Sequence, residues 1–239
     1  MIAMDKLEVL NPRDLSVTRV LTKPQGSLEV AAAAATVPTL PLRLADGRPN
    51  LGGPWVQGKF TRYPVVPLND AGKALQAAYK AENDPQMFCE PPGLVRQAGF
   101  TPHPVRITQL PDRIIFQYEE YGGRREVFLA PHNIVSRGKS NLGDSIAHYE
   151  DDKLIIESRN LLPNWTTPEA NQVSDKTTTV ETYQRVDDPK IGPVLSITMV
   201  VTDPVYLAKP FVLSSTKNYS AGYEFIANSC RPPLRKGAG

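Results

Sequence analysis

The chain has 239 residues, 41% of them hydrophobic, enough to bury a core and too many for a disordered tail. Its 23 prolines outnumber its 16 glycines and exclude long uninterrupted helices, because each proline removes a donor and clashes with the preceding turn. With 27 basic and 25 acidic residues the net charge is +2, which excludes the footprint of a dedicated nucleic-acid binder.

No apolar run reaches the roughly 18 residues of a membrane-spanning helix, so no membrane span is expected. Met1-Ile2-Ala3-Met4 is followed directly by Asp5-Lys6-Leu7-Glu8, without the basic and apolar regions of a secretory signal. The expected location is therefore cytoplasmic, or periplasmic if a leader was removed. Residues 1–50, with prolines at 12, 24, 38, 41 and 49, read as an extended N-terminal arm. Leu7, Val9 and Leu10 add a strand or pack on a neighbouring subunit, so a homodimer through the arm stands beside a loosely docked arm.

Residues 51–239 read as a single domain. Its one helix is predicted near 70–82, with Asn69 or Asp70 as N-cap and Asn83-Asp84-Pro85 as the stop. Gly72 weakens it. Cys89-Glu90-Pro91-Pro92-Gly93 is a rigid loop.

From about residue 104 the hydrophobic period becomes two. Strands are predicted at 105–109, 113–121 and 124–129, with Gly122-Gly123 as a hairpin turn. Residues 145–150 and 153–158 form a second hairpin about Asp151-Asp152. Strands at 177–186, 194–202 and 222–227 complete an antiparallel meander. Closure into a barrel of about eight strands removes exposed edges and encloses a small ligand cavity. The predicted fold is thus an all-β, lipocalin-like antiparallel barrel with one helix and an N-terminal arm.

Phosphate-binding glycine loops, nucleophile elbows and zinc-protease motifs are missing, and no cofactor is expected. His103, His132 and His148 lack metal-ligand spacing, so no metal is assigned. In the 145–158 hairpin His148 faces Ile155 and Ile146 faces Glu157, making His148 and Glu157 diagonal neighbours on one face. An imidazole beside a carboxylate is poised for proton transfer; the alternative is an exposed strand face, since Tyr149, Leu154 and Ile156 make the other face apolar. Glu119 is a third catalytic candidate if it faces an aromatic cavity, and a rim residue ion-paired to Arg124 or Arg125 if not. Phe116, Tyr118, Tyr149 and Trp55 are candidate ligand-contacting aromatics, and His103, held between Pro102 and Pro104, a polar contact. Cys89 and Cys230 would pair as a disulfide in an exported protein and stay buried thiols in a reducing cytosol.

The stretch from Asn50 to Cys230 resembles a large, mostly uncharacterised group of bacterial β-rich proteins, most of them exported. The group's D-G-x-P-D-L-S-G-x-W corresponds to Asp46 through Trp55, and its C-x-P-P-G-x-P-R to Cys89 through Arg96. P-x-P-x-x-I-x-Q matches Pro102 to Gln109, and the D-R-I…Y-E that follows is Asp112-Arg113-Ile114 with Tyr118-Glu119. The G-x-S-I-G-x-W-E-G-D hairpin is Gly143 to Asp152, with Tyr149 for tryptophan, and D-P-x-x-Y-x-K-P-F is Asp203 to Phe211. A closing E-Y-x-C becomes Glu224-Phe225 and Cys230 with a longer spacer. Gly53-Pro54-Trp55 also resembles the G-x-W of lipocalins, where a basic residue, here Arg231, covers the tryptophan at the barrel base. These resemblances imply a fold rather than an activity.

The function expected is binding of a small apolar or aromatic molecule in a barrel cavity, with a cofactor-independent lyase, isomerase or cyclase step by acid/base chemistry. The alternative is a non-catalytic ligand-binding or protein-interaction barrel.

Overall fold

The computed structural model describes residues 6–10, 17–22, 37–60, 65–80, 82, 84–100, 103–131, 138–165 and 171–226. The chain divides into two compact units, residues 1–36 and 37–239. In the first, β1 (Lys6–Leu10) pairs antiparallel with β2 (Val17–Thr22), so Leu7, Val9 and Leu10 do lie in a strand.

The second unit is a closed barrel of nine strands among the described residues. Around its wall run β3 (Gly53–Phe60), β4 (Val105–Gln109), β5 (Arg113–Tyr118), β6 (Arg124–Leu129), β7 (Asp144–Glu150) and β8 (Lys153–Arg159). After the short pair β9 (Asn164–Trp165) and β10 (Gln172–Val173) the wall continues with β11 (Thr178–Asp188), β12 (Gly192–Thr202) and β13 (Phe211–Tyr219). β13 pairs with β3 and closes the barrel. The all-β barrel expected from the hairpin rhythm therefore forms.

Three details differ from the sequence reading. First, β6 and β7 pair in parallel, over only Val127↔Ser145, Phe128↔Ile146 and Leu129↔Ala147. A parallel pair needs a connection of about a dozen residues or more, and residues 130–143 between these two strands supply that length. Second, β5 ends at Tyr118, and Glu120–Gly122 forms a 3-10 turn in place of a Gly122-Gly123 hairpin. Tyr121 and Gly122 take left-handed φ of 54° and 62° there, while the Tyr118 N–H donates to Gly123 O at 2.7 Å. Third, residues 222–226 form no strand, because β13 has already paired with β3 and the closed wall offers no edge. Val56 to Phe60 and the Phe211–Tyr219 strand, missed by the sequence reading, complete that closure.

Inward positions alternate along each strand as the pleat requires. Ile114 and Phe116 on β5, Leu154 and Ile156 on β8, and Leu195, Ile197 and Met199 on β12 are buried in one core cluster. Trp55 is fully buried, its Nε1–H donates to Leu51 O at 2.8 Å, and its ring meets Tyr219 edge-on at 5.5 Å. Val95–Phe100, to which the sequence reading assigned no element, is a π-helix that packs Val95 and Ala98 into the core against β12 and β13. Gly99 makes that approach feasible: a Cβ there would lie 2.5 Å from Leu213 Cδ1.

The helix α1 (Asp70–Ala77) starts where predicted, with the Asn69 side chain accepting from the Gly72 N–H at 2.9 Å. It ends earlier than residue 82. Gly72, a weakness in local terms, faces Tyr206 O, which a Cβ would approach to 2.4 Å. The β12–β13 connection is held by the buried Asp203 carboxylate. It accepts hydrogen bonds from Ser174 N and Oγ, Thr177 Oγ1, Val205 N and Tyr206 N. Cys89 is disulfide-bonded, whereas Cys230, Arg231 and His132 lie outside the described residues.

Candidate functional site

The barrel's inner wall carries an ion pair that alternation on its own would not announce. β11 turns Thr179, Glu181 and Tyr183 inward and Val180, Thr182 and Gln184 outward. Glu181 lies beside Ile156 and Met199, both fully buried, and its charge is compensated by a side chain across the interior and by one on its own strand. Arg125, the first inward position of β6, donates through Nη1 to Glu181 Oε2 at 3.1 Å and through Nη2 to Oε1 at 2.7 Å. The two side chains are 1% and 0% exposed.

Ser145 of β7 and Ser158 of β8, direct cross-strand partners, complete the shell. Arg125 Nε donates to Ser145 Oγ at 3.0 Å, and Nη2 to Ser158 Oγ at 2.6 Å. Tyr183 donates its hydroxyl to Glu181 Oε2 at 2.8 Å. Phe116 lies 5.7 Å beneath the guanidinium carbon and 5.3 Å from the Tyr183 ring. Tyr118, stacked on Phe116, brings a buried hydroxyl with no hydrogen-bond partner among the described residues.

These groups hold their protons firmly. Burial works against the Arg125 charge, but the Glu181 carboxylate outweighs it and lifts the guanidinium above its ordinary range. Burial pushes the Tyr118 hydroxyl up to about 12 despite the nearby arginine. Tyr183 too is raised well above its ordinary range, by burial and then by the Glu181 charge. The constellation is a rigid set of donors around one carboxylate rather than a base.

A cleft of about 490 Å³ opens beside it. The parallel pairing begins only at Val127 and Ser145, so the strands splay over Arg124–Glu126 and the approach to β7, leaving a gap in the wall. Pro91, Tyr121, Phe128 and Leu142 provide apolar lining, and Arg125 and Ser145 form the wall facing the ion pair. Gly143 shapes the lip: its φ is +63°, and a Cβ would lie 2.4 Å from Arg159 O.

The sequence-derived candidates divide accordingly. Phe116 and Tyr118 are inside, at the ion pair. Tyr149 also faces inward, accepting from Gln109 Nε2 at 2.8 Å under Arg48, away from the Arg125 group. His148 and Glu157 share the predicted face, and the predicted register holds, but that face is the outer one. His148 is 42% exposed and its Nε2 bonds Glu150 Oε1 at 2.9 Å, not Glu157. The reason is burial: Ser145, Ala147, Leu154, Ile156 and Ser158 occupy the inner face. Glu119 points to neither the cavity nor Arg125; its Oε2 accepts from Tyr223 OH at 2.7 Å and Ile226 N at 2.9 Å. Arg124 pairs with Glu126 at 2.7 Å.

His103 sits at the barrel end beside the π-helix, its Nε2 3.5 Å from Glu120 Oε1 and its carbonyl accepting from Lys217 Nζ at 2.7 Å. Burial pulls the Lys217 ammonium from 10.5 down to about 8, against the attraction of Glu120. The folded protein thus releases this proton near pH 8 while the unfolded chain keeps it to 10.5, so unfolding takes up a proton between them. Stability is expected to rise across that window by on the order of 3 kcal/mol. Tyr118 acts oppositely: the unfolded chain loses its proton near 10.0 and the fold keeps it to about 12, so stability falls above pH 10. Urea unfolding over this range should show a maximum near pH 10, and Lys217→Met should remove the rising limb only. A flat profile between pH 8 and 10 in the native chain would refute the buried ammonium.

Sequence reasoning missed Arg125, Glu181, Ser145, Ser158 and Tyr183 as a group. The one available signal was the pair of apolar strands flanking β11, whose shared register turns Glu181 inward.

No protein-family model and no curated protein sequence matches this chain.

Proposed function

We propose that this chain is a small-molecule-binding barrel whose ligand occupies the cleft between β6 and β7, with its polar group directed at Arg125 and Ser145. The observation that carries this reading is the completely buried Arg125–Glu181 pair next to that cleft. Taking both charges out of water costs several kcal/mol per ion, and an apolar filling of the same volume is often at least as stable. A barrel that keeps the pair has a use for a fixed, dry charge array. Tyr121, Phe128 and Leu142 suit an aromatic or apolar ligand body, and the array suits one oxygen-bearing group.

The same electrostatics favour binding and orientation over proton abstraction. Tyr118 and Tyr183 remain protonated at neutral pH, so any catalytic step here would be driven by hydrogen-bond and charge stabilisation. Membership of the exported β-rich group that the motifs resemble is part of the same proposal.

The test is fluorescence titration with two aromatic probes, neutral N-phenylnaphthylamine and anionic anilinonaphthalene sulfonate. Saturable binding of one probe per chain is expected, weakened at least tenfold by Asn141→Trp, which fills the cleft from its exposed lip. Failure of the folded chain to bind either probe, or unchanged affinity in Asn141→Trp, overturns the proposal.

A further inference from the structure

Outside the barrel, β11, β12 and β13 form one regular wall. β11 and β12 stay in register from Thr178↔Thr202 to Asp188↔Gly192, and β12 and β13 from Val194↔Asn218 to Val201↔Phe211, with no bulge. The outward positions from Thr178 to Val186, Val194 to Thr202 and Val212 to Asn218 are all Thr, Val, Ser, Gln or Asn. None is charged, in a chain where 22% of residues are. Glu181, Arg185 and Lys217 on these strands are turned away from this surface, and Asp187 and Asp188 stand at its hairpin end, beyond Val186.

Toward one end of it Val180, Val200 and Val212 stand side by side across the three strands, 43%, 37% and 53% exposed, and its middle row is Thr182, Thr198 and Ser214. Charge resumes on the neighbouring strand β8, where Glu157 faces Val180 and Lys153 faces Gln184. An uncharged, partly apolar face, with charge resuming on the adjoining strand β8, has the charge-depleted character of an interface.

We propose that this three-strand face is a self-association surface, and that its occupant is the same face of a second copy of the chain. In a two-fold contact the patch meets itself, and any charge near the axis meets its like. A patch cleared of charge removes that repulsion. It also offers no handle to an acidic or basic partner. Small threonines and valines, without large apolar side chains, give no means of inserting into a lipid surface. Strand addition by a peptide needs an open edge, and β11, β12 and β13 are each paired on both sides.

An uncharged span of about nine residues rising ~3.4 Å each, three strands abreast at ~4.8 Å, presents roughly 30 by 14 Å, or about 400 Å². That matches the low end of specific interfaces, which bury under about 600 Å² per partner, so the expected dimer is reversible and micromolar.

Sedimentation velocity on the full chain from about 1 to 100 µM tests this. The expected result is a concentration-dependent shift from monomer to dimer. Val200→Lys and Thr198→Lys, both outward and tolerable to the fold, should each leave a monomer throughout, with melting temperature within a few degrees of the native chain. Gln117→Lys, outward on β5, should leave the dimer intact. A monomer at the highest concentration, or a dimer that survives both lysine substitutions on the face, overturns the proposal. The second outcome would return the contact to another surface, the N-terminal arm included.

Discussion

Glu181→Ala is expected to destabilise the barrel by roughly 3–5 kcal/mol, enough to unfold much of a marginally stable population. The cost arises less from the lost ion pair than from what remains. Arg125, 1% exposed, would keep its charge with only Ser145 and Ser158 as partners, and Tyr183 would lose the acceptor for its hydroxyl. Arg125→Ala should cost a similar amount by stranding the carboxylate. The pair replaced together, Arg125→Met with Glu181→Leu, should come within about 1 kcal/mol of the native chain, because neither charge is then left behind. Urea unfolding with an unchanged slope measures all three, and their non-additivity is the coupling between the two residues. A single substitution costing less than about 1 kcal/mol would mean that water reaches the pair. The double variant also separates stability from function: a folded barrel that no longer binds the aromatic probes places the ligand's polar group at Arg125.

The second large effect is expected at Asp203. Its carboxylate, 2% exposed, collects three backbone N–H groups and two hydroxyls from two loops. Asp203→Ala orphans all of these donors, and with charge-assisted bonds at about 1.5–3 kcal/mol each a loss of roughly 3–5 kcal/mol follows after water and loop relaxation recover part. Asp203→Asn should cost less. Its oxygen at the Oδ1 position still accepts from Ser174 Oγ, Val205 N and Tyr206 N, while its amide can donate to a rotated Thr177 hydroxyl and faces Ser174 N donor to donor. Thermal unfolding of the two variants checks the order, and equal losses would show that the charge alone matters. The same turn holds α1 through Asn69 Nδ2 to Val205 O, so loss of helix signal should accompany the melting of Asp203→Ala.

Several features were legible in the residues. The Asp151-Asp152 turn fixed the β7–β8 register, and Glu150↔Lys153, His148↔Ile155 and Ile146↔Glu157 are the pairs observed. Asn69 or Asp70 was readable as a cap because a short polar side chain before an alanine-rich run has one good use there. Tyr149, Leu154 and Ile156 also marked the apolar face of that hairpin, which is the inner one. What stayed open was the burial of Ser145 and Ser158 on that face, which Arg125 of β6 accounts for.

The sequence by itself therefore determined local geometry: a β-rich chain, its tight hairpins, one capped helix and a pair of strands in register. Period-two alternation and turn chemistry act over a few residues, and they are written locally. Tertiary structure decided the closure through β13 and β3, the parallel β6–β7 pair with its cleft, and the turning inward of Glu181. Those outcomes rest on partners distant in the chain. Arg125 and Glu181 are 56 positions apart, and each is an unfavourable inward residue until the other is in place. No local pattern can encode a burial whose cost is cancelled only across the barrel.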